Sequence, residues 1–362
     1  MQRPSTQLVQ FVMERKLPWI SYNVATERFE FVIDNYLLST YRACPTHFMR
    51  KAVEGYARKG QNGALDRNWF LDFGLLFHTM MEEYYREYWK PYFDLAKFGI
   101  DRAFKHWADM QMNVHLSHRE CQAMGGYPGF AAMLLQYADQ FRFENERIRV
   151  LATEVSFGHG HEVPIFVLGE SEANEAIFSY ADIYYAGRMD VVADDGYFLF
   201  PLDHKTLGSF SRGDPLSRFE IDDGPTGYVY SMNHILHRLA PSELILKRQC
   251  NRISMNLISK EIPKEGSRFK RFALQKSTAQ LKAFCERVIN TCNNLLSDLD
   301  SYARGLSVPR DASHCMNWYY RECSFADVCR QQDKDGENAT LSNGYIRLPI
   351  WDTEMVQTTP PE

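Results

Sequence analysis

Two short segments in the middle of the chain decide the fold: Gly187–Asp190 reads GRMD and Asp203–Lys205 reads DHK. The residues between them, Val191–Phe200, read VVADDGYFLF, with apolar residues on both sides of an Asp-Gly pair. This pattern predicts two strands joined by a tight turn. In such a hairpin the carboxylates of Asp190 and Asp203 can face each other.

The second segment places an acid and an amine on one face of its strand. Side chains alternate along a strand, so Asp203 and Lys205 point the same way and His204 points away. Carboxylates hold hard divalent cations, and a nearby ammonium can steady an attacking water or a developing charge during hydrolysis of a phosphodiester. The structural alternative is an ordinary hairpin with polar ends, because an Asp-x-Lys triplet alone is a weak signal.

These segments, with strand-like flanks and Thr206 after the lysine, resemble the PD-(D/E)XK nuclease superfamily. The resemblance is closest to the RecB-like branch, which includes AddB-like and CRISPR-associated iron–sulfur exonucleases. It runs from about Leu37 to Cys329 on five motifs in order: Cys-Pro, Gly-x-x-x-His, Asp, Asp-x-Lys and three cysteines. It implies an α/β fold with a restriction-endonuclease-like mixed sheet core flanked by helices, a helical insert and a C-terminal cysteine-cluster region.

The composition is that of a globular protein with one large domain or two smaller ones. Of the 362 residues, 45% are hydrophobic and 24% charged, which is ordinary for a folded chain. No apolar run reaches the roughly 18 to 20 residues of a membrane span, and no signal core follows Met1. We expect a cytoplasmic protein without a membrane partner; a phage-encoded origin stays open. The net charge of −5 weighs mildly against a nucleic-acid enzyme, although basic groups can be local.

Hydrophobic periodicity divides the chain into a lead-in, one nuclease domain and a tail. The predicted lead-in is residues 1–36, the domain is 37–330, and the polar, loosely ordered tail is 331–362. Within the domain we expect a helical part at about 37–148, a catalytic sheet at about 149–260, and a C-terminal helix and cysteine loop at about 270–330. The chain has no glycine-rich strand-to-helix turn, which argues against a Rossmann or P-loop fold.

The first predicted helix begins near Leu38, with Ser39 as its N-cap, and runs to about Lys59. Further helices are predicted at about 68–90, 97–112, 127–147, 227–239 and 270–300. Strands are predicted at about 150–157, 161–170, 177–206 and 244–258.

Eight cysteines in an intracellular chain are more often thiols or metal ligands than disulfides. Cys315, Cys323 and Cys329 lie within one short segment, and Cys44 precedes a proline far upstream. Four such thiolates could form one metal site that joins the first helix to the C-terminal loop. The alternative is a set of separate thiols. The remaining cysteines show no such grouping: Cys121, Cys250, Cys285 and Cys292.

The resemblance implies a [4Fe-4S] cluster on these four thiols: Cys44, Cys315, Cys323 and Cys329. In the iron–sulfur exonucleases, one early Cys-Pro and three late cysteines hold such a cluster. This chain lacks the tight Cys-x-x-Cys pair that the family often shows before the last cysteine. Zn²⁺ is therefore the rival occupant, with His47 or His314 as substitute ligands.

Three further residues take roles from the same resemblance. His78, in a Gly-x-x-x-His segment, would join the metal shell, although a lone histidine on an apolar helix is more often a core residue. Glu154 lies on the strand before the hairpin and either binds the metal or braces a neighbouring basic group. Tyr230 stands where the family's Gln-x-x-x-Tyr helix contacts DNA, but Thr226 replaces the glutamine, and helical tyrosines can simply pack.

The resulting hypothesis is a Mg²⁺- or Mn²⁺-dependent deoxyribonuclease of DNA repair, recombination or phage/CRISPR-related processing, more readily an exonuclease than an endonuclease. Asp190 and Asp203 would bind the metal with His78 and the backbone carbonyl of His204, and Lys205 would orient the attacking water. DNA is the expected partner; helicase, recombination or CRISPR proteins are further candidates. The competing hypothesis is a catalytically silent nuclease fold that binds DNA or docks a partner.

Overall fold

A computed structural model describes most of the chain. The described residues are 4–60, 69–88, 126–166, 180–208, 210, 215–239, 249–260, 266–311, 313, 315, 322–331, 333–348 and 350. The helices are α1 (Thr6–Arg15), α2 (Asn35–Ala43), α3 (Pro45–Phe48), α4 (Trp69–Tyr88), α5 (Gly126–Gln140), α6 (Arg142–Asn145), α7 (Pro215–Ile221), α8 (Asp223–Leu239), α9 (Thr278–Ala303), α10 (Ala326–Cys329) and α11 (Lys334–Gly344). The strands are β1 (Ile20–Asn23), β2 (Arg28–Ile33), β3 (Tyr56–Arg58), β4 (Arg149–Phe157), β5 (Ala181–Tyr185), β6 (Gly187–Asp194), β7 (Leu199–Leu207), β8 (Arg252–Ser259), β9 (Phe269–Gln275) and β10 (Tyr345–Arg347). No helix among these described elements is long and apolar enough to cross a membrane.

The chain forms two compact units. The first unit comprises Met1–Asp66, Phe157–Gly187 and Ala279–Glu362. The second unit comprises Arg67–Ser156 and Arg188–Thr278. Residues 37–330, predicted as one nuclease domain, therefore contribute to both units.

The second unit is built on a five-stranded mixed sheet in the order β4-β6-β7-β8-β9. β6 and β7 pair antiparallel, and β8 and β9 do the same. β7 and β8 run parallel, with Lys205 opposite Leu257. Helix α8 lies in the connection between these two parallel strands, which need a long crossover. A mixed sheet with flanking helices confirms the predicted fold class.

The turn of the β6–β7 hairpin is formed by local hydrogen bonds. Asp195 Oδ1 accepts the backbone N–H groups of Tyr197 and Phe198 at 3.0 and 2.8 Å. Gly196 has a φ of 86°, in the left-handed region that glycine adopts without steric cost. These interactions explain why the short Asp-Gly sequence was sufficient to predict the hairpin.

Helices α4 and α5 cover one face of this sheet with apolar side chains. One continuous cluster joins them to β6, β7 and β8, and its members include Phe77, Met81, Leu134, Val191, Leu202 and Ile258. Burying a side chain of this size contributes roughly 1.5–3 kcal/mol relative to leaving it exposed. The packing fixes α4, which carries the predicted metal ligand His78, against the strands that carry the acidic residues.

A buried polar network lies within this apolar core. Arg271 on β9, whose side chain is 8% exposed, donates to Oδ1 of Asn145 at 2.8 Å and to Oδ1 of Asn256 at 2.6 Å. It also donates to the hydroxyls of Tyr85 and Tyr137 at 3.0 and 2.8 Å. The planar guanidinium presents several donors in a fixed geometry, and here one arginine of β9 connects three helices, α4, α5 and α6, to the neighbouring strand β8.

Replacing Arg271 with alanine is expected to lower the free energy of unfolding by at least about 3 kcal/mol, because several buried acceptors and hydroxyls lose their partner together. Denaturant unfolding measures the change. The neighbouring Lys270→Ala is the control: Lys270 is exposed and lies over the Phe210 ring at 4.8 Å, so its loss is expected to cost under about 1 kcal/mol. Equal effects of the two substitutions would contradict the structural role of the network.

The first unit combines two small sheets with the long helix α9. One sheet has the order β1-β2-β5, and the other pairs β3 with β10. Tyr41 donates its hydroxyl to Asp298 at 2.6 Å, and Arg42 donates from Nε to Thr291 at 2.8 Å, so α2 is fastened to α9. The buried residues of α9 include Phe284, Cys285, Val288, Cys292 and Leu295.

The start and extent of the first predicted helix are wrong. Asp34, and not Ser39, is the N-cap, because its carboxylate accepts the N–H of Leu37 at 2.7 Å. The helix ends before Cys44, which is extended with φ −165° and ψ 111°. Pro45 disfavours helical backbone at the residue before it. The single helix predicted to reach about residue 59 is therefore interrupted at Cys44, between α2 and α3.

Two predictions near the C-terminus also differ from the structure. The helix predicted at 270–300 begins at Thr278, because residues 269–275 pair with β8 as the edge strand β9. Pairing with a neighbouring strand overrides a local helical pattern. The tail predicted to be loosely ordered contains α11, capped by Asp333, and β10. The helix predicted at 97–112 lies outside the described residues.

Candidate active site

The predicted carboxylates meet where the β6–β7 hairpin opens. Regular pairing of the two strands ends at Val191 and Leu202. Beyond this point, Asp190 Oδ2 accepts the backbone N–H of His204 at 2.6 Å. A side-chain oxygen therefore takes the place of the backbone carbonyl that would accept this N–H in a continuous pair of strands. Asp190 and Asp203 are both buried, and Asp203 is 1% exposed. The structure thus brings together the two acids that the sequence paired.

Lys205 lies directly beside this acidic pair. Its Nζ is 2.7 Å from Asp203 Oδ1, and its side chain is 38% exposed. Burial acts to lower the pKa of Lys205, but Asp203 and Asp190 outweigh burial and raise the pKa. The side chain is therefore a cation at neutral pH, held by a carboxylate at one end of the site and accessible to solvent.

His78 approaches the same carboxylates from α4. Its Nδ1 is 3.4 Å from Asp190 Oδ2. Desolvation acts to lower the pKa of His78, and the interaction with Asp190 reverses this and raises it. The histidine thus lies where the predicted metal ligand should lie, and its role as a ligand stays a prediction.

The two carboxylates have different electrostatic environments. Burial, opposed by Lys205 and assisted by Asp190, raises the pKa of Asp203 to about 6. Burial also acts to raise the pKa of Asp190, but His78, His204 and Lys205 outweigh it and hold that pKa below its usual range. At neutral pH Asp203 therefore carries its charge against the cost of burial, and a nearby cation would relieve that cost.

One carboxylate oxygen of the pair has no hydrogen-bond partner among the described residues. Asp203 Oδ2 is buried and unpaired, whereas Oδ1 accepts from Lys205. Unpaired buried carboxylate oxygens are costly, and two neighbouring carboxylates are the ligand type that Mg²⁺ and Mn²⁺ prefer. In the described part of the chain, no three His, Cys, Asp or Glu side chains converge closely enough to hold a metal ion as they stand. The acidic pair fits a divalent cation by its chemistry without forming a complete ligand set.

His204 anchors β7 from the opposite face of the sheet. Its ring lies among core aromatics, 5.5 Å from the Tyr85 ring, and its Nδ1 is 3.2 Å from Asn256 Nδ2. Burial lowers the pKa of His204 to about 3, so the ring is neutral. The strand alternation predicted from the sequence agrees with this arrangement, because Asp203 and Lys205 point to the other face.

Glu154 adopts a backbone conformation that the sequence did not predict. Its φ of 50° is left-handed, which is uncommon for a residue other than glycine and costs roughly 1–3 kcal/mol. The carboxylate lies 2.6 Å from Arg188 Nε, and burial raises the pKa of Glu154 to about 7. Of the two predicted roles, this contact favours the brace to a basic group. Arg188 belongs to the GRMD segment, and only the fold reveals Glu154 as its partner.

The two tyrosines of α8 differ in their surroundings. Tyr230 is 3% exposed, and its ring centroid lies 4.7 Å from that of His234, with the two rings tilted. The burial of its ring argues against the predicted DNA contact. Tyr228 is half-buried, and its ring lies 5.9 Å from Lys205 Nζ. Sequence analysis assigned no role to Tyr228 and missed its position beside the lysine.

The four predicted cysteine ligands all belong to the first unit and are free thiols. Cys323 donates its backbone N–H to the carbonyl of Cys315 at 2.7 Å. Burial raises the pKa of Cys323 and of Cys329, and thiols of the same set, including Cys44, add to both rises. His47 Nδ1 is 3.4 Å from Cys323 Sγ, whereas His314 and Cys121 lie outside the described residues. Among the described residues, no three of these side chains converge closely enough to hold a metal ion as they stand, and a metal on the four cysteines stays a prediction.

Comparison with known proteins identifies the family. A family model described as the PD-(D/E)XK nuclease superfamily matches residues 37–330, which is most of the chain. The protein therefore belongs to the PD-(D/E)XK nuclease superfamily, whose members typically use divalent metal ions. No curated protein matches the chain. Membership supports a nuclease in general, and the RecB-like branch stays a prediction.

Proposed function

We propose that this protein is a divalent-metal-dependent DNA nuclease whose active site is formed by Asp190, Asp203, Lys205 and His78. The observation that carries the proposal is the buried, unpaired Oδ2 of Asp203 beside a second carboxylate and the ammonium of a partly exposed lysine. A purely structural ion pair would not need an unpaired oxygen at its centre. Membership of a nuclease superfamily supports the same reaction class.

Each side chain has a separate task in this proposal. Asp190 and Asp203 would hold a divalent cation, which would supply positive charge to stabilise the negative charge that develops on the phosphate. His78 keeps Asp190 ionised and oriented through the 3.4 Å contact. Lys205, fixed by Asp203 at 2.7 Å, positions the water that attacks the phosphorus and balances charge in the transition state. The neutral His204, buried in the core, holds the backbone between Asp203 and Lys205 in place.

The proposed mode of action is exonucleolytic. Its support is the order of motifs shared with the RecB-like branch, from the early Cys-Pro to the three late cysteines. End-labelled and covalently closed circular DNA, incubated with Mn²⁺, separate the two modes. An exonuclease degrades only the substrate with ends, and an endonuclease also cuts the circle.

A catalytically silent DNA-binding or docking protein is the second candidate. Two observations favour it: the net charge is −5, and Thr226 stands at the position of the family's glutamine. Both observations concern contact with DNA, and neither of them concerns the pair Asp190 and Asp203. Such a protein would leave DNA uncut with Mn²⁺ at every concentration tested, whether it binds DNA or docks a partner protein.

Asp203→Asn is expected to reduce Mn²⁺-dependent cleavage by roughly two to three orders of magnitude, because it removes an anionic ligand worth several kcal/mol of transition-state stabilisation. Calorimetric titration should show a matching loss of Mn²⁺ affinity. The fold should persist, since burial already disfavours the Asp203 charge in the absence of metal. Asp335→Asn, at an exposed position of α11, is the matched control. Wild-type cleavage by Asp203→Asn would exclude this carboxylate from the site.

We further propose that Cys44, Cys315, Cys323 and Cys329 together hold a structural metal centre, either a [4Fe-4S] cluster or Zn²⁺. The backbone hydrogen bond between Cys323 and Cys315 supports a common site, as does the effect of Cys44 and Cys315, which adds to that of burial, in raising the pKa of Cys323 and of Cys329. The four side chains would have to move closer together to bind the metal. The contact of His47 with Cys323 supports zinc as the alternative, with histidine in place of one thiolate. Electron transfer is not required for hydrolysis, so the centre would stabilise the first unit.

A further inference from the structure

The ammonium of Lys205 is held from two directions. Asp203 Oδ1 accepts from it at 2.7 Å. The ring of Tyr228 lies 5.9 Å from the same Nζ, within the range of a cation–π interaction. A lysine has a flexible four-carbon stem, so a single hydrogen bond leaves its ammonium several orientations. The aromatic face restricts them further.

The sequence at the start of α8 fixes the position of this ring. Asp222 Oδ1 accepts the N–H of Gly224 at 2.8 Å, and the Asp222 carbonyl accepts the hydroxyl of Thr226 at 3.1 Å. These bonds secure the first turn of the helix, as an N-cap does. Tyr228 follows in the next turn and is half-buried, whereas Tyr230 is fully buried. The helix phase therefore presents residue 228, and not residue 230, to the catalytic strand.

We propose that Tyr228 is a positioning residue that holds the Lys205 ammonium through the face of its ring; this rests on the proposed function of Lys205. The ring keeps the ammonium directed at the position of the scissile phosphate while Asp203 remains available for the cation. The hydroxyl has no part in this role. Loss of the ring face therefore lowers the rate of the chemical step and leaves DNA affinity unchanged.

A direct DNA contact by the Tyr228 hydroxyl is the alternative, and two substitutions separate it from the positioning role. Tyr228→Phe keeps the ring face and removes the hydroxyl. Tyr228→Leu removes the ring and keeps an apolar side chain. If Tyr228 is a positioning residue, Tyr228→Phe should retain the cleavage rate that Tyr228→Leu loses. A hydroxyl contact requires that both substitutions weaken DNA binding alike.

The test is single-turnover cleavage of end-labelled DNA at saturating Mn²⁺, with the DNA dissociation constant measured separately in Ca²⁺. We expect Tyr228→Leu to lower the single-turnover rate constant about three- to tenfold, with unchanged DNA affinity, and Tyr228→Phe to retain most of the rate. Tyr197→Leu is the matched control, since Tyr197 is 81% exposed at the hairpin turn. If Tyr228→Leu fails to fold, ring-fluorinated phenylalanines at position 228 replace it, and the rate should fall as fluorine weakens the ring face.

The outcomes are distinguishable from failure of the proposed function. If the wild-type protein cuts no DNA, the nuclease proposal fails before Tyr228 is examined. If the wild type cuts and Lys205→Ala does not, but Tyr228→Leu cuts at the wild-type rate, the positioning role alone is overturned. An equal loss of DNA affinity in Tyr228→Leu and Tyr228→Phe also overturns it, in favour of the hydroxyl contact.

Discussion

Replacing Lys205 with alanine is expected to abolish nearly all DNA cleavage and to leave the fold intact. The Lys205 ammonium lies 2.7 Å from Asp203, and 38% of its side chain is exposed, so the charge is both fixed and accessible to a phosphate. Removing one group that stabilises charge in the transition state costs roughly 10²–10³ in rate. Truncating a partly exposed lysine removes little packing, but it leaves the buried Asp203 without its partner, so the free energy of unfolding should fall by roughly 1–3 kcal/mol while the protein stays folded.

The experiment separates catalysis from metal binding. Cleavage of end-labelled DNA and Mn²⁺ affinity are measured for Lys205→Ala, with Lys334→Ala, an exposed lysine of α11, as control. Because both carboxylates remain, Mn²⁺ affinity should persist in Lys205→Ala and be lost in Asp203→Asn. Lys205→Arg should recover only part of the rate, since a planar guanidinium does not reproduce the compact charge of an ammonium. Normal cleavage by Lys205→Ala would refute the assignment of the lysine.

The hairpin and its acidic pair could be predicted because the information for both is local. An Asp-Gly turn sets the register of two adjoining strands, and the turn bonds of Asp195 are all within three residues. Alternation along β7 then fixes which side chains share a face. The neutral His204 in the core and the partly exposed Lys205 are direct consequences of that alternation.

Other features of the site depend on contacts between distant segments and could not be predicted. The left-handed Glu154 is stabilised by its contact with Arg188. The two residues are far apart along the chain, so no local sequence pattern indicates that they pair. The bond from His204 N–H to Asp190 requires the hairpin to open at one residue, which no residue pattern specifies. Similarly, β9 has a helical pattern and becomes a strand because β8 offers an unpaired edge.

The choice between two tyrosines shows the limit of motif spacing. The family pattern pointed to Tyr230, four residues after Thr226. The orientation of α8 depends on where the helix begins, and Asp222 fixes that start through its bond to Gly224. With this start, Tyr230 faces the core and Tyr228 faces Lys205. The motif therefore predicts which helix lies beside the site, whereas the packing of that helix determines which of its side chains reaches the site.

Replacing Cys323 with serine is expected to remove the bound metal and to destabilise the first unit by at least about 3 kcal/mol. The proposed ligand set joins Cys44 to three cysteines more than 250 positions further along the chain. A metal that closes such a loop removes conformational freedom from the unfolded chain. Serine keeps the size of the side chain but is a poor metal ligand, so the change should act through the metal and not through packing.

Metal analysis of anaerobically purified protein decides between the occupants. Iron and absorption near about 400 nm identify an iron–sulfur cluster, whereas zinc in a colourless protein identifies the alternative. Cys285→Ala is the control, because Cys285 is buried on α9 and belongs to the apolar core. It should lose some packing energy and none of the metal. If Cys323→Ser and Cys285→Ala retain the same metal content, or if the wild type contains neither iron nor zinc, the four thiols do not form a metal centre, and the stability of the first unit rests on α9 and its partners alone.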